Sequence, residues 1–263
     1  MKFQTTKSLG LAALFVAAAN FVQADVILFQ EKFEGTNLDQ WIGKAGAPHQ
    51  GQLVVDPLNP ANQVLGFTGV NFGGDIFSAG PIDVSRPRHY VLSFDFLGLP
   101  DASNPALENG AFLGIANATD PLFQQYWIAG SYAPELTVPA SIARPLAVDG
   151  QWHHYETDIT ALVEANNLSS LVLMLEDWGG RGSIPGDVFF DNISVVGVYD
   201  ILPILAQVPC DGPAPGKNWK NHGAYVSAVS KVVDTYLAAN IIAPEEAAQI
   251  MILAGASDCG SKK

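Results

Sequence analysis

The chain is poor in positive charge: 13 lysines and arginines stand against 26 aspartates and glutamates, for a net charge of −13. That shortage argues against nucleic acid as a partner, because phosphate recognition needs clustered positive charge. It disfavours anionic membrane surfaces on the same ground. There are only two cysteines, and no Cys-x-x-Cys, so a dithiol redox motif is missing. Also missing are a Gly-x-Ser-x-Gly elbow, a phosphate loop and a His-Glu-x-x-His zinc motif. Beyond residue 24 no apolar run approaches the roughly 20 residues that span a bilayer. No internal repeat of solenoid or propeller type is visible.

What is there begins with a leader. Lys2 and Lys7 precede an apolar run from Leu9 to Ala19, and Val22-Gln23-Ala24 offers the small-x-small exit that a signal peptidase reads. Residues 1–24 are therefore expected to be a signal peptide, and the remainder a soluble protein that is secreted or periplasmic. The acids that dominate it suit hard cations such as calcium, although surface carboxylates also serve solubility alone.

With 25 Gly, 17 Pro and 10% aromatic residues, the chain reads as mainly β and rich in turns. Short apolar runs alternate with turn clusters from Asp25 to about Val198. The candidates include Gln52–Val55, Val64–Phe67, Tyr90–Phe96, Ala111–Ile115, Tyr126–Ala129, Trp152–Ile159, Ser170–Leu175 and Val188–Val195. Leu92, Phe94 and Phe96 show the period of two that buries one face of a strand. About nine strands at this spacing predict two packed antiparallel sheets over residues 25–198.

The texture then changes. Residues 199–209 read as an apolar linker broken by Pro203 and Pro209. In residues 210–263, Tyr225, Val229, Val232 and Tyr236 form the stripe of an amphipathic helix. Pro244-Glu245-Glu246 is a good helix start, followed by Ala247, Ile250, Met251 and Ala254. Two antiparallel helices would bring Cys210 near Cys259, and one cysteine pair in an exported chain is most simply a disulfide. His222, at the head of the first helix, reads as a capping or packing residue rather than a metal ligand.

Phe33-Glu34-Gly35 followed by Trp41, Gly150-Gln-Trp152-His-His-Tyr155, and Gly186-Asp-Val-Phe-Phe-Asp191-Asn192 together resemble jelly-roll carbohydrate-binding modules of the galactose-binding-like type. The last segment is similar to cysteine-bracketed helical tails of bacterial exported proteins. The resemblance implies a jelly-roll β-sandwich followed by a small disulfide-linked helical hairpin, and a polysaccharide or glycan as partner. It also implies a structural calcium shared by the first and last strands, which by position falls on Glu34 and Asp191, with backbone carbonyls near Gly35 or Trp41 completing the shell.

For the ligand, aromatic rings would meet the apolar sugar face while polar groups bond the hydroxyls. Trp127 and Trp178 are compatible with either a site or the core, whereas Trp41 and Trp152 sit where a sandwich wants a large anchor. Asp75 and Arg181 are the expected polar contacts beside those rings. Two other functions stay open. One is a glycoside hydrolase or polysaccharide lyase whose residues converge only in space, since the Glu-x-Asp-x-x-Glu strand motif of concanavalin-like glucanases has Ala161 in its last place here. Glu176 and Asp177 are chain neighbours on a strand, so they face opposite ways. Alternatively, the chain is an adhesive or structural protein that docks a protein partner through the helical hairpin.

Overall fold

The computed structural model describes residues 23–44, 49, 51–67, 75–86, 88–101, 109–178 and 186–261. The signal-peptide reading falls almost wholly outside them. The described residues hold thirteen strands: β1 Gln23–Glu31, β2 Trp41–Gly43, β3 Gly51–Asp56, β4 Asn59–Phe67, β5 Ile76–Ser78, β6 Ile82–Asp83, β7 His89–Gly98, β8 Ala111–Asn117, β9 Gln125–Gly130, β10 Arg144–Pro145, β11 Trp152–Asp158, β12 Ser170–Asp177 and β13 Val188–Asp200. The helices are α1 Thr160–Ala165, α2 Leu202–Ala206, α3 His222–Ala238 and α4 Pro244–Ala256.

The strands form a jelly-roll β-sandwich. One sheet runs β11-β7-β13-β4-β3 with β1 on β13, and the other runs β10-β9-β8-β12-β5-β2 with β6 on β12. Strand alternation decides which side chains lie between the sheets. Leu92, Phe94 and Phe96 of β7 are fully buried there, facing Leu113 and Ile115 of β8 and Leu171, Leu173 and Leu175 of β12. Phe190 of β13 ties the layer together, with its ring 5.3 Å from Phe96 and 6.3 Å from Phe94. Trp41 is core as expected: it is 3% exposed and lies 5.9 Å from Phe33 in a stacked arrangement.

The sequence between the sandwich and the cysteines is a working part of the tail. The stretch read as a linker contains α2, and Ile201, Ile204 and Val208 pack with Tyr225, Val229 and Val233 of α3 and Ala247, Ile250 and Ala254 of α4. The disulfide joins Cys210 to Cys259. Asn221 caps α3 by accepting from the Ala224 amide at 2.9 Å. The His222 ring packs at that helix start, its nitrogens 2.8 Å from the Cys259 carbonyl and 3.1 Å from that of Gly255. The hairpin also touches the sandwich: Gln249 donates to the Asp25 carbonyl at 3.1 Å, and Arg88 meets Glu246 in a buried ion pair. Among the described residues no helix is long and apolar enough to cross a membrane.

Candidate functional site

Alternation along β12 sends Leu171, Leu173 and Leu175 inward, so Val172, Met174 and Glu176 face away from the core. Pairing registers then lay one row of residues across five strands. Ile42 of β2 is opposite Phe77 of β5, Phe77 opposite Met174 of β12, Met174 opposite Gly114 of β8, and Gly114 opposite Trp127 of β9. Gly114 is required in that row, since a Cβ there would lie 2.3 Å from the Tyr126 carbonyl oxygen and 2.8 Å from Met174 Cε. Phe77, Ala116, Val172 and Met174 form their own buried cluster on this face, with Trp127 packed against it.

Beside that row, Glu176 pairs across the sheet with Phe112. The Phe112 ring lies 5.7 Å from Trp127 and 6.3 Å from Trp178. These three rings, with Glu135 and Glu176, line a hollow of about 150 Å³. The segment carrying Glu135 is fastened to β9, because Thr137 Oγ1 accepts from the Trp127 amide at 2.8 Å and the Thr137 amide returns a bond to the Trp127 carbonyl. Further along the row, Ile42, Phe77, Pro81, Leu122 and Val172 border a second hollow of about 380 Å³. Phe123, next to it in sequence, is 85% exposed. A larger depression of about 550 Å³, near Thr36, Asp39 and Gln52, is lined also by Leu38, His49, Leu53 and the buried Trp41.

The polar groups converge at one end of the face. Asp75 is 2% exposed and holds Lys44 Nζ at 2.7 Å through Oδ2. Its other oxygen, Oδ1, is buried and takes no protein donor in the ordinary charge states. Glu176 faces it, and the two carboxyl groups interact side chain to side chain. Burial, then the charge of Asp75, pushes the Glu176 pKa up to about 8. Burial and the Asp75 charge thus favour the protonated form of Glu176.

The expected ligand residues thus separate. Trp127, Trp178 and Asp75 come to one face, the two indoles half-buried and Asp75 beneath the surface. Arg181 lies outside the described residues. Glu176, Phe112 and Lys44 belong to the same face and were not expected there. The alternation that places Trp178 two residues after Glu176 was the available signal. Asp177 turns inward and is 1% exposed, as its neighbour relation to Glu176 requires.

Of the expected calcium pair, Asp191 lies on β13 of the other sheet and Glu34 in the loop after β1. Asp191 sits opposite Asp95 of β7, just before a bulge where Asn192 adopts φ 49°. Asp191 Oδ1 accepts from the Asn192 amide at 2.7 Å and Oδ2 from Asn62 Nδ2 at 3.1 Å. Burial first, and the neighbouring charges of Asp95 and Glu34 after it, raise the Asp191 pKa. Among the described residues no three His, Cys, Asp or Glu side chains group as a metal site. Trp152 donates to both oxygens of Asp56 nearby, at 3.2 and 3.1 Å, so it is a structural anchor rather than a ligand platform. His153 and His154 separate, to Asp149 at 2.9 Å and to Asp95 at 2.7 Å, and neither is buried as a core histidine.

No protein-family model and no curated protein sequence matches the chain. Solved structures with a related course of chain include the tandem CBM22-1–CBM22-2 domain of Xyn10C from Paenibacillus barcinonensis. It is 14% identical with a TM-score of 0.44, over 65% of this chain and 50% of that one, so the match spans half the tandem's length. Others are the xylan-binding module CBM15, 14% identical with a TM-score of 0.35 over 66% of this chain and 96% of that one, and the K3 cleaved adhesin domain of Lys-gingipain from Porphyromonas gingivalis w83. The adhesin domain is also 14% identical, with a TM-score of 0.35, over 65% of this chain and 99% of that one. At such identities the functional reading rests on the side chains.

Proposed function

We propose that the chain is an exported, non-catalytic module that binds a polysaccharide or glycan across the outer face of the β10-β9-β8-β12-β5-β2 sheet. The observation that carries this reading is the placement of Trp127 and Trp178 on either side of Phe112, at the end of an apolar row that crosses five strands. The partly exposed indoles give flat apolar surface to a sugar while Glu135 and Glu176 offer oxygens to its hydroxyls.

The test is a panel of neutral, acidic and amino polysaccharides run by affinity electrophoresis with the full chain without its leader. Retardation by at least one polysaccharide, lost in Trp178→Ala, is the expected result. Normal migration throughout the panel would reject the reading.

Export draws support from the Cys210–Cys259 disulfide, which persists in oxidising compartments. A structural calcium remains part of the proposal, with Glu34 and Asp191 supplying carboxylate oxygens and backbone carbonyls the rest. The charge repulsion that Asp191 feels from Asp95 and Glu34 is the feature a cation would relieve. If it binds there, a chelator lowers the thermal midpoint of the native protein and Asp191→Asn removes that sensitivity. An unchanged midpoint would dismiss the ion.

A second reading, docking of a protein partner through the helical hairpin, rests on Ile252 and Leu253 of α4, exposed by 69% and 37%. Ile252→Lys would leave polysaccharide retardation intact and abolish such docking.

A further inference from the structure

Lys44 follows β2, Asp75 precedes β5 and Glu176 lies on β12. Registers that pair Gly43 with Ile76, and Ile76 with Leu175, set these three side by side on the next rung of adjacent strands. Ile76 and Leu175 belong to the core, so alternation turns Asp75 and Glu176 to the outer face. Asp75 is nonetheless 2% exposed, and Lys44 Nζ stands 2.7 Å from its Oδ2. Asp75 Oδ1 is buried without a donor in the ordinary charge states, and the Glu176 carboxyl meets Asp75 side chain to side chain. An amine and two carboxyls thus share one row, with the buried carboxyl in the middle.

Such a row has the parts for making an amide. In water an ammonium and a carboxylate do not condense, because hydration holds both as ions. Burial narrows the gap to the neutral pair, an amine beside a carboxylic acid. Fixed contact then replaces a bimolecular encounter, with an effective concentration that can reach about 10⁵ M. Burial first, and the Asp75 charge second, favour the protonated form of Glu176, which suits a general acid acting on the Asp75 carbonyl. We propose that Lys44 and Asp75 condense into an isopeptide bond, with Glu176 relaying the protons. One ammonium proton passes to the Asp75 carboxylate, the Nζ–Cγ bond forms, and one Cγ–O bond breaks. Glu176 carries protons from the nitrogen to the departing oxygen and ends with the one it began with. Of the three ammonium protons, one stays on the amide and two leave in the water, so atoms and charge balance without a co-reactant. The Lys44 side chain is 38% exposed, which gives that water a path to solvent.

The bond closes a sequence separation of 31 residues and ties the short edge strand β2 to the segment entering β5. It is a second covalent staple beside the disulfide, and one that no reductant opens. Burial, the first cause of the raised Glu176 pKa, persists in the linked protein. The experiment is mass spectrometry of the reduced full chain without its leader, after prolonged incubation at neutral pH. The comparison is Lys44→Arg, which keeps the ion pair but has no amine to condense. Allowing for the substitution, the wild type should be lighter by one water. Its digest should contain a branched peptide joining the residues around Lys44 to those around Asp75. Asp75→Ala and Glu176→Gln should both lack that peptide and keep the full mass, and a cooperative thermal transition reports whether each is folded. Lys44→Arg should also melt below the wild type.

A wild type at full mass overturns the inference, as does a lost water that fragmentation places anywhere but between Lys44 and Asp75. The same link in folded Glu176→Gln overturns the role given to Glu176, and the proposed reaction with it. None of these outcomes bears on the glycan reading, which polysaccharide retardation tests.

Discussion

Arg88 Nη2 and Glu246 Oε2 stand 3.1 Å apart with side chains 2% and 0% exposed, joining the loop before β7 to the first turn of α4. The approach has a steric condition: Gly197 of β13 lies under the Arg88 side chain, and a Cβ there would come within 2.4 Å of Arg88 Cδ. The same glutamate caps its own helix by accepting from the Ala243 amide. The hairpin is therefore seated on the sandwich through a desolvated charge pair, not merely tethered to it.

Removing one partner of such a pair strands the other in the interior. Glu246→Ala should lose about 3–5 kcal/mol in denaturant unfolding, while the double variant Arg88→Met/Glu246→Leu recovers much of it. A loss no larger than that of an exposed α4 variant such as Glu245→Ala would show the pair to be idle.

The disulfide closes a sequence separation of 49 residues. In the chain-entropy model that is worth about 4 kcal/mol. The tail has a small core of its own, so reduction should lower the thermal midpoint and first expose α3 and α4 amides to hydrogen exchange. Equal exchange rates in oxidised and reduced protein would contradict this.

The pairing of Glu176 with Asp75 makes stability depend on pH in a definite direction. The Glu176 pKa is raised from 4.5 to about 8 in the folded state. Between those values the unfolded chain has released a proton that the folded chain keeps, so stability falls as pH rises through this window. Below it the group contributes no slope, and above it the loss is complete. Glu176→Gln, which can still donate to Asp75, should gain on the wild type from pH 5 to pH 9 by on the order of 1 kcal/mol, discounted for partial exposure. Parallel stability curves for the two proteins would place Glu176 away from Asp75.

Much of the sandwich was legible because its long strands alternate cleanly. The stretches around Phe94, Leu113 and Leu173 became β7, β8 and β12 with nearly the expected bounds. Strands β2, β5, β6 and β10 were not seen, since two or three residues carry no period, and α1 is barely more than a turn. Pro203 masked α2: it reads as a break, yet a proline is tolerated in the first turn of a helix, which is where it stands.

At the site, Trp127, Trp178 and Asp75 could be named as polar and aromatic residues near strand ends. Their meeting with Lys44 and Glu176 could not, because it depends on β2 pairing with β5 and β5 with β12, contacts that no local pattern encodes.

The central claim is that the outer face carrying Trp127 and Trp178 is where the ligand lies. It is tested most directly by following the five indole N–H signals by NMR while titrating the polysaccharide that the electrophoresis panel selects. The expected result is that the signals of Trp127 and Trp178, assigned by substitution, shift with a common affinity while those of Trp41, Trp152 and Trp219 stay in place. Shifts confined to Trp219 of the helical tail, or to Trp152 on the opposite sheet, would contradict the account.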